Sequence, residues 1–305
     1  MGIDIESARF LLQSRQAGVR FTRCLTLGRQ HYFLGRRETR GLLRPFDVEK
    51  GAADRICGGL EESPYSEPFW QALGVEDLST LDASDFEGAT FVHDLNQPVP
   101  EELHASYDAV CDFGTIEHVF NFPTALASCM QLVKVGGRFI THTTANNFCG
   151  HGFYQFSPEL FFRALGPANG FEVERMVAVE YGPCRRWFNV SDPETVRARV
   201  SLINSFPVLL FVQARRVAAI KPFASWPQQS DYLAMWQEHQ PGKPGVSAGE
   251  AAPAGLGARL KSALLESMPR ASRALQAIVT SSLNREYAWR NRRSFQKAHK
   301  TSTKP

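Results

Sequence analysis

Short apolar runs that close on a glycine or an aspartate, separated by helical patterns, constrain this chain most. Arg23-Cys24-Leu25-Thr26-Leu27 ends at Gly28, Ala89-Thr90-Phe91-Val92-His93 at Asp94, and Tyr107-Asp108-Ala109-Val110-Cys111 at Asp112. Arg138-Phe139-Ile140-Thr141-His142-Thr143 follows a turn expected at Gly136-Gly137. Runs of this length and composition, bounded by turn residues, predict buried strands.

Helical patterns lie between them. Pro123 opens one that runs through Leu126 and Met130 to Leu132, with Gly136 beyond its end. Ser157-Pro158-Glu159 reads as an N-cap followed by an N1 proline, ahead of Leu160-Phe161-Phe162. Strands alternating with helices imply an α/β fold with a mostly parallel sheet covered on both faces. Phe171–Val179 and Val208–Val217 are again strand-like and suit an antiparallel pair at one edge, with Asp192–Ser201 as a short excursion between them. His31–Val75 carries basic residues, glycines and prolines, and predicts broken helices and loops inserted after the first strand. Residues 1–240 form the expected α/β domain. Residues 241–256 read as a Pro/Gly linker, and 257–305 as a helical, basic C-terminal extension.

With 43% hydrophobic and 21% charged residues, the chain has the composition of a globular protein able to bury a large core. A net charge of +3 argues against nucleic-acid binding by its body. The six cysteines form no C-x-x-C pair, so a structural zinc site is not expected. Their scatter suits a reducing cytoplasm. The acidic, polar start Gly2-Ile3-Asp4-Ile5-Glu6 is not a signal peptide, and no apolar stretch is long enough to span a bilayer. The basic C-terminus, from Arg285 to Lys304, would suit an acidic partner or a membrane surface, or else a solvated tail.

Three segments in register carry a resemblance: Tyr107-Asp108-Ala109-Val110, Ile116-Glu117-His118-Val119, and Leu132-Val133-Lys134-Val135-Gly136-Gly137-Arg138-Phe139-Ile140. Together they resemble the small-molecule branch of class I S-adenosyl-L-methionine (SAM)-dependent methyltransferases. That family shows an acidic strand start, a Leu-Glu-His-Val helix start and a Leu-Lys-Pro-Gly-Gly turn; Val135 replaces the proline here. The resemblance covers roughly residues 21–217. It implies a doubly wound, Rossmann-like, seven-stranded sheet with an antiparallel last hairpin, SAM as cofactor, and methyl transfer to a small-molecule or glycan acceptor.

The resemblance also implies a cofactor site at the carboxyl ends of the strands. Gly28 matches the first glycine of the family's loop; the second and third are absent, and Arg29 is bulky and cationic there. Asp82, ending Leu78-Ser79-Thr80-Leu81-Asp82, is the expected acceptor for the ribose hydroxyls. Ser84 and Asp85 lie beside it, and Phe86 is expected on the adenine face. Asp94 and Leu95 are expected at the adenine amine and ring, and Asp112-Phe113-Gly114 beside the methionine part and the transferable methyl. Each acid has a local alternative, Asp82 as a helix N-cap and Asp94 as a turn residue. Some relatives hold a metal with Glu-His and a further Glu three residues earlier. Gly114 occupies that earlier position, so no metal is expected.

The catalytic candidates come from Asn146-Asn147-Phe148-Cys149-Gly150-His151-Gly152-Phe153-Tyr154. Polar, Gly-punctuated loops on rigid scaffolds often carry function. His151 is the preferred base because imidazole titrates near neutral pH, with Tyr154 as a further candidate. Two rivals stand beside this reading. A nicotinamide-dependent oxidoreductase would need G-x-G-x-x-G at a helix N-terminus, which is missing. A methyltransferase-like scaffold without activity would account for the altered first loop.

Overall fold

The computed structural model describes residues 2–238 and 288–298. The chain divides into two compact units. The first comprises Met1–Asn189, Phe206–Pro227 and Lys297–Pro305; the second comprises Val190–Ser205 and Gln228–Gln296.

The first unit opens with β1 (Gly2–Ile3) and α1 (Ile5–Gln16), then β2 (Arg23–Leu27) and β3 (His31–Tyr32). Helices α2 (Arg36–Leu43), α3 (Ala52–Glu62) and α4 (Glu67–Leu73) lead to β4 (Asp77–Asp82) and β5 (Phe91–Val92). Next come β6 (Tyr107–Phe113), α5 (Phe122–Leu132), β7 (Val133–Asn146), α6 (Pro158–Ala164), β8 (Phe171–Glu180) and β9 (Arg186–Val190). The second unit carries α7 (Pro193–Val196) and α8 (Ser230–Glu238), and β10 (Val208–Arg216) belongs to the first. β11 (Phe295–Lys297) straddles the boundary, and Ala298 N–H donates to the Trp187 carbonyl at 2.9 Å.

The expected seven-stranded, mostly parallel sheet is corrected. Among the described residues the sheet has nine strands in the order β11-β9-β8-β10-β7-β6-β2-β4-β5, and it is mixed. The pairs β5–β4, β4–β2, β2–β6 and β6–β7 are parallel; β7–β10, β10–β8 and β8–β9 are antiparallel. The antiparallel pair β8/β10 forms as expected but inside the sheet, because β9 continues it. The pair Gly136-Gly137 is no turn before a strand. β7 already begins at Val133 and shifts register against β6 across this stretch. A Cβ on Gly137 would lie 2.8 Å from the Asp108 carbonyl oxygen, so the close strand approach there requires glycine.

α1 forms because Asp4 caps it, its carboxylate accepting from Glu6 N–H (3.1 Å) and Ser7 N–H (2.9 Å). Its apolar side packs on the sheet through Phe10, whose ring lies 5.4 Å from Phe211 on β10 and 6.3 Å from Trp187 on β9. Trp70 of α4 covers the same face at β6, 6.3 Å from Phe113. Ala109, Cys111 and Phe113 join this core. Period-two alternation turns Asp112 to the opposite face.

The acidic start of the β6 strand has a structural role. Asp108 accepts from Arg23 N–H at 2.9 Å and pairs with Lys134, at the amino end of the sheet. No helix of the described residues is long and apolar enough to cross a membrane. The expected linker and most of the helical extension lie outside the described residues.

Candidate functional site

β2 pairs with β4 on one side and with β6 on the other, so the connections leaving β2 and β6 diverge to opposite sides of the sheet. Ligands of open α/β sheets bind in the crevice at such a switch point, outside the carboxyl ends of the strands. Both strands leave through a glycine in the left-handed region, Gly28 at φ 70° and Gly114 at φ 92°. A side chain there is strained, and both glycines are buried at the strand ends.

After β2, Gly28 N–H donates to the Leu81 carbonyl at 2.8 Å, tying the loop to β4. Arg29 turns away to meet Glu67 (2.6 Å) and the Glu87 carbonyl (3.1 Å), its guanidinium 3.9 Å from the Tyr65 ring centroid. Its charge is thus paired with Glu67. The sequence reading missed Gln30, which is buried. Its Nε2 donates to the carbonyls of Leu27 (2.5 Å) and Gly28 (3.3 Å), which fixes the amide orientation, and its Oε1 is buried with no partner among the described residues. A buried unsatisfied acceptor is costly and calls for an explanation.

Asp82 ends β4 half-buried, and its carboxylate has no hydrogen bond or ion pair among the described residues. Ser84 and Asp85 are exposed in the turn beyond it, and Phe86 is 92% exposed. Asp94 Oδ1 accepts from Asn96 N–H (2.9 Å) and Asn96 Nδ2 (2.8 Å), an Asx turn that holds its carboxyl below the usual range. Leu95 is buried.

Two expected contacts are internal. Asp112 is fully buried on the α5 side; Oδ1 accepts from Thr115 N–H at 2.9 Å and Oδ2 from the Thr141 hydroxyl at 2.7 Å. Its carboxylate therefore shapes the loop from within and is not offered to a ligand. Phe113 is core, wedged between Trp70 and His142. Gly114, at the exit of this strand, is itself buried.

The loop after β7 folds onto the turn at Ile116–His118. Phe153 N–H (2.9 Å) and Tyr154 N–H (3.2 Å) both donate to the Glu117 carbonyl. The Tyr154 hydroxyl donates to the Phe120 carbonyl at 2.7 Å, so its proton is committed. His151 is half-exposed, its Nε2 3.8 Å from Glu117 Oε1. Glu117 is 1% exposed; burial, and then the nearby Asp112 carboxyl, push its pKa up to about 8. Burial, and then His151, hold His118 below its ordinary value.

A second buried polar chain was also missed. Ser7 hydroxyl donates to Asp4 Oδ1 at 2.7 Å and lies 3.0 Å from His142 Nδ1. Burial opposes ionisation of Asp4, yet Ser7 N–H, His142 and the Ser7 and Tyr181 hydroxyls hold it below its usual value. Asp4 is therefore the acceptor, and the Ser7 oxygen must accept from His142 Nδ1–H. Burial drives His142 down to about 4, so its imidazole is neutral at pH 7. An unfolded histidine takes up a proton near pH 6.5 while the native one does not, so folding stability falls as pH drops from about 6.5 towards 4. Urea melts at pH 7 and 4.5 are expected to show a steeper loss for the wild type than for His142→Gln; equal losses would contradict the buried neutral assignment.

No helix follows β2 directly, since the first begins at Arg36, so no helix N-terminus is placed for a pyrophosphate. No family model and no curated protein matches the chain. Solved structures do. One is a Bacillus halodurans C-125 protein to which methyltransferase activity is ascribed, with 10% identity over 70% of this chain and 100% of that one, at TM-score 0.38. Another is the N-methyltransferase NodS of Bradyrhizobium japonicum WM9, with 11% identity, 70% and 96% coverage and TM-score 0.36. A third is a mutein of the branched-chain polyamine synthase of Thermus thermophilus, with 13% identity, 74% and 58% coverage and TM-score 0.37.

Proposed function

We propose that the chain binds SAM across the carboxyl ends of β2, β4 and β6 and transfers its methyl group to a small-molecule or glycan acceptor. The observation that carries this reading is the switch point between β2 and β6. There, two left-handed glycines flank the crevice, and a carboxylate without a partner ends the adjoining strand. The residues suit an S-adenosyl ligand. Asp82 can accept from both ribose hydroxyls, a charge-assisted pair. Gln30 Oε1 lacks a donor, and the α-ammonium of the methionine part is one. Gly114, having no side chain, adds no steric barrier at the end of β6. Arg29, held by Glu67, brings no positive charge to the sulfonium.

Bound SAM supplies a methyl carbon activated by sulfonium. An acceptor lone pair bonds to that carbon as the carbon–sulfur bond breaks towards sulfur, giving S-adenosylhomocysteine and the methylated acceptor, with loss of the acceptor proton. The chain contributes positioning and proton transfer. His151, half-exposed beside the Gly114 turn, is the group available to take that proton. Tyr154, whose hydroxyl is bonded to Phe120, orients the loop instead.

Ligand-dependent melting tests this reading against the nicotinamide alternative. S-adenosylhomocysteine at about a hundred times its dissociation constant contributes about 2.7 kcal/mol, which raises the melting temperature by several degrees. NAD and NADP at the same concentration are expected to raise it by none. Stabilisation by a dinucleotide alone would reverse the assignment.

A further inference from the structure

The loop after β7 is built onto Glu117 more closely than a substrate loop needs to be. Two successive amides bond one carbonyl, that of Glu117. The loop is braced further by His151 N–H to the Phe148 carbonyl (3.0 Å) and Phe148 N–H to Gln155 Oε1 (2.9 Å). Between the ligating side chains stands Gly152. A Cβ there would lie 2.9 Å from the Glu117 carbonyl oxygen and 3.2 Å from His118 Nδ1. Only glycine lets this backbone lie down, and the result is His151 placed over Glu117.

Three donor atoms converge there. Glu117 Oε2 accepts from the Thr143 hydroxyl at 3.0 Å, which leaves Oε1 on the side of the imidazoles. One ligand atom each from Glu117, His118 and His151 lie within 4.8 Å of one another, and the two rings are 5.1 Å apart. At 3.8 Å, the Glu117–His151 separation is too long for a hydrogen bond. Two ligands of one tetrahedral ion, each about 2.1 Å from it, stand about 3.4 Å apart. Both histidines are exposed and free to close the remaining distance, while the carboxylate is fixed in the wall.

We propose that Glu117, His118 and His151 hold a divalent first-row transition ion beside the Gly114 turn. Two imidazoles with one carboxylate favour such an ion over magnesium or calcium, which prefer all-oxygen shells. Three protein ligands leave a position open. The ion site stands on its own geometry. Its role rests on the methyl-transfer reading: the ion would draw an acceptor hydroxyl into that open position and lower its pKa, and His151 would then serve as a ligand in place of the proton acceptor.

The test is titration of the full chain with Co2+, followed by visible absorption and calorimetry. One equivalent is expected to bind saturably. His151→Ala, on an exposed loop, and Glu117→Gln, which keeps the shape and the Thr143 hydrogen bond, are each expected to weaken binding more than tenfold. Gly152→Ala is expected to do the same by lifting the loop. His93→Ala, at a half-buried histidine outside this cluster, serves as control and leaves binding unchanged. Affinity insensitive to His151→Ala, a thiolate charge-transfer band from Cys149 or Cys184, or no saturable binding at millimolar Co2+ would each overturn the site. Neither measurement needs the other ligand. Cobalt binding without S-adenosylhomocysteine binding therefore keeps the ion site and removes methyl transfer, and the reverse removes the ion site alone.

Discussion

Replacing Trp187 with alanine is expected to lower the unfolding free energy by about 3–5 kcal/mol and the melting temperature by roughly 10 °C. The side chain is 1% exposed on β9 and sits within 6.3 Å of Phe10 and 6.0 Å of Phe211, between α1 and the antiparallel half of the sheet. Its Nε1–H donates to Glu6 Oε2 at 2.7 Å, and Glu6 is itself nearly buried at the start of α1. Truncation thus opens a cavity under α1 and withdraws a donor from a buried carboxylate. Trp187→Phe keeps most of the packing and loses only the donor, so it is expected to cost about 1–3 kcal/mol. Chemical denaturation of the three proteins checks this order. A wild-type midpoint for Trp187→Ala would mean that α1 does not dock on this face.

The second large effect is on binding. Asp82→Ala is expected to weaken S-adenosylhomocysteine binding roughly tenfold to a hundredfold, the equivalent of about 1.5–3 kcal/mol for hydrogen bonds to a charged acceptor. Its thermal stability in the absence of ligand is expected to stay near wild type, because no group of the described chain bonds that carboxylate. This separation distinguishes Asp82 from Asp112. Asp112→Ala would strand Thr115 N–H and the Thr141 hydroxyl in the interior, and it is expected to destabilise the fold itself.

The strands of the central sheet were legible because they are largely buried and read as apolar runs: Arg23–Leu27, Tyr107–Phe113, Phe171–Glu180 and Val208–Arg216 all form strands. β9 was not. Arg186 and Asn189 face solvent and break its apolar run, as edge-side strands commonly show. β11 has only three residues, too few for any period to register. The turn glycines Gly28 and Gly114 were readable from strand ends, because a left-handed exit needs glycine. The burial of Asp112 was not, since its partner Thr141 arrives from another strand. The same reason hid the Asp4–Ser7–His142 chain and the gathering of His151 with Glu117: side chains far apart in sequence meet only once the sheet register is set. Arg29 misled as a local feature, because Glu67 and Tyr65, which take its charge, lie on and beside a helix inserted after it.

The most direct test of the account is calorimetric titration of the full chain with S-adenosylhomocysteine, for the wild type and for Asp82→Ala. A single saturable site is expected, which Asp82→Ala weakens at least tenfold while the apo melting temperature holds. Absence of heat and of thermal stabilisation at millimolar ligand, or an affinity indifferent to Asp82, would contradict a SAM site at the β2/β6 switch point.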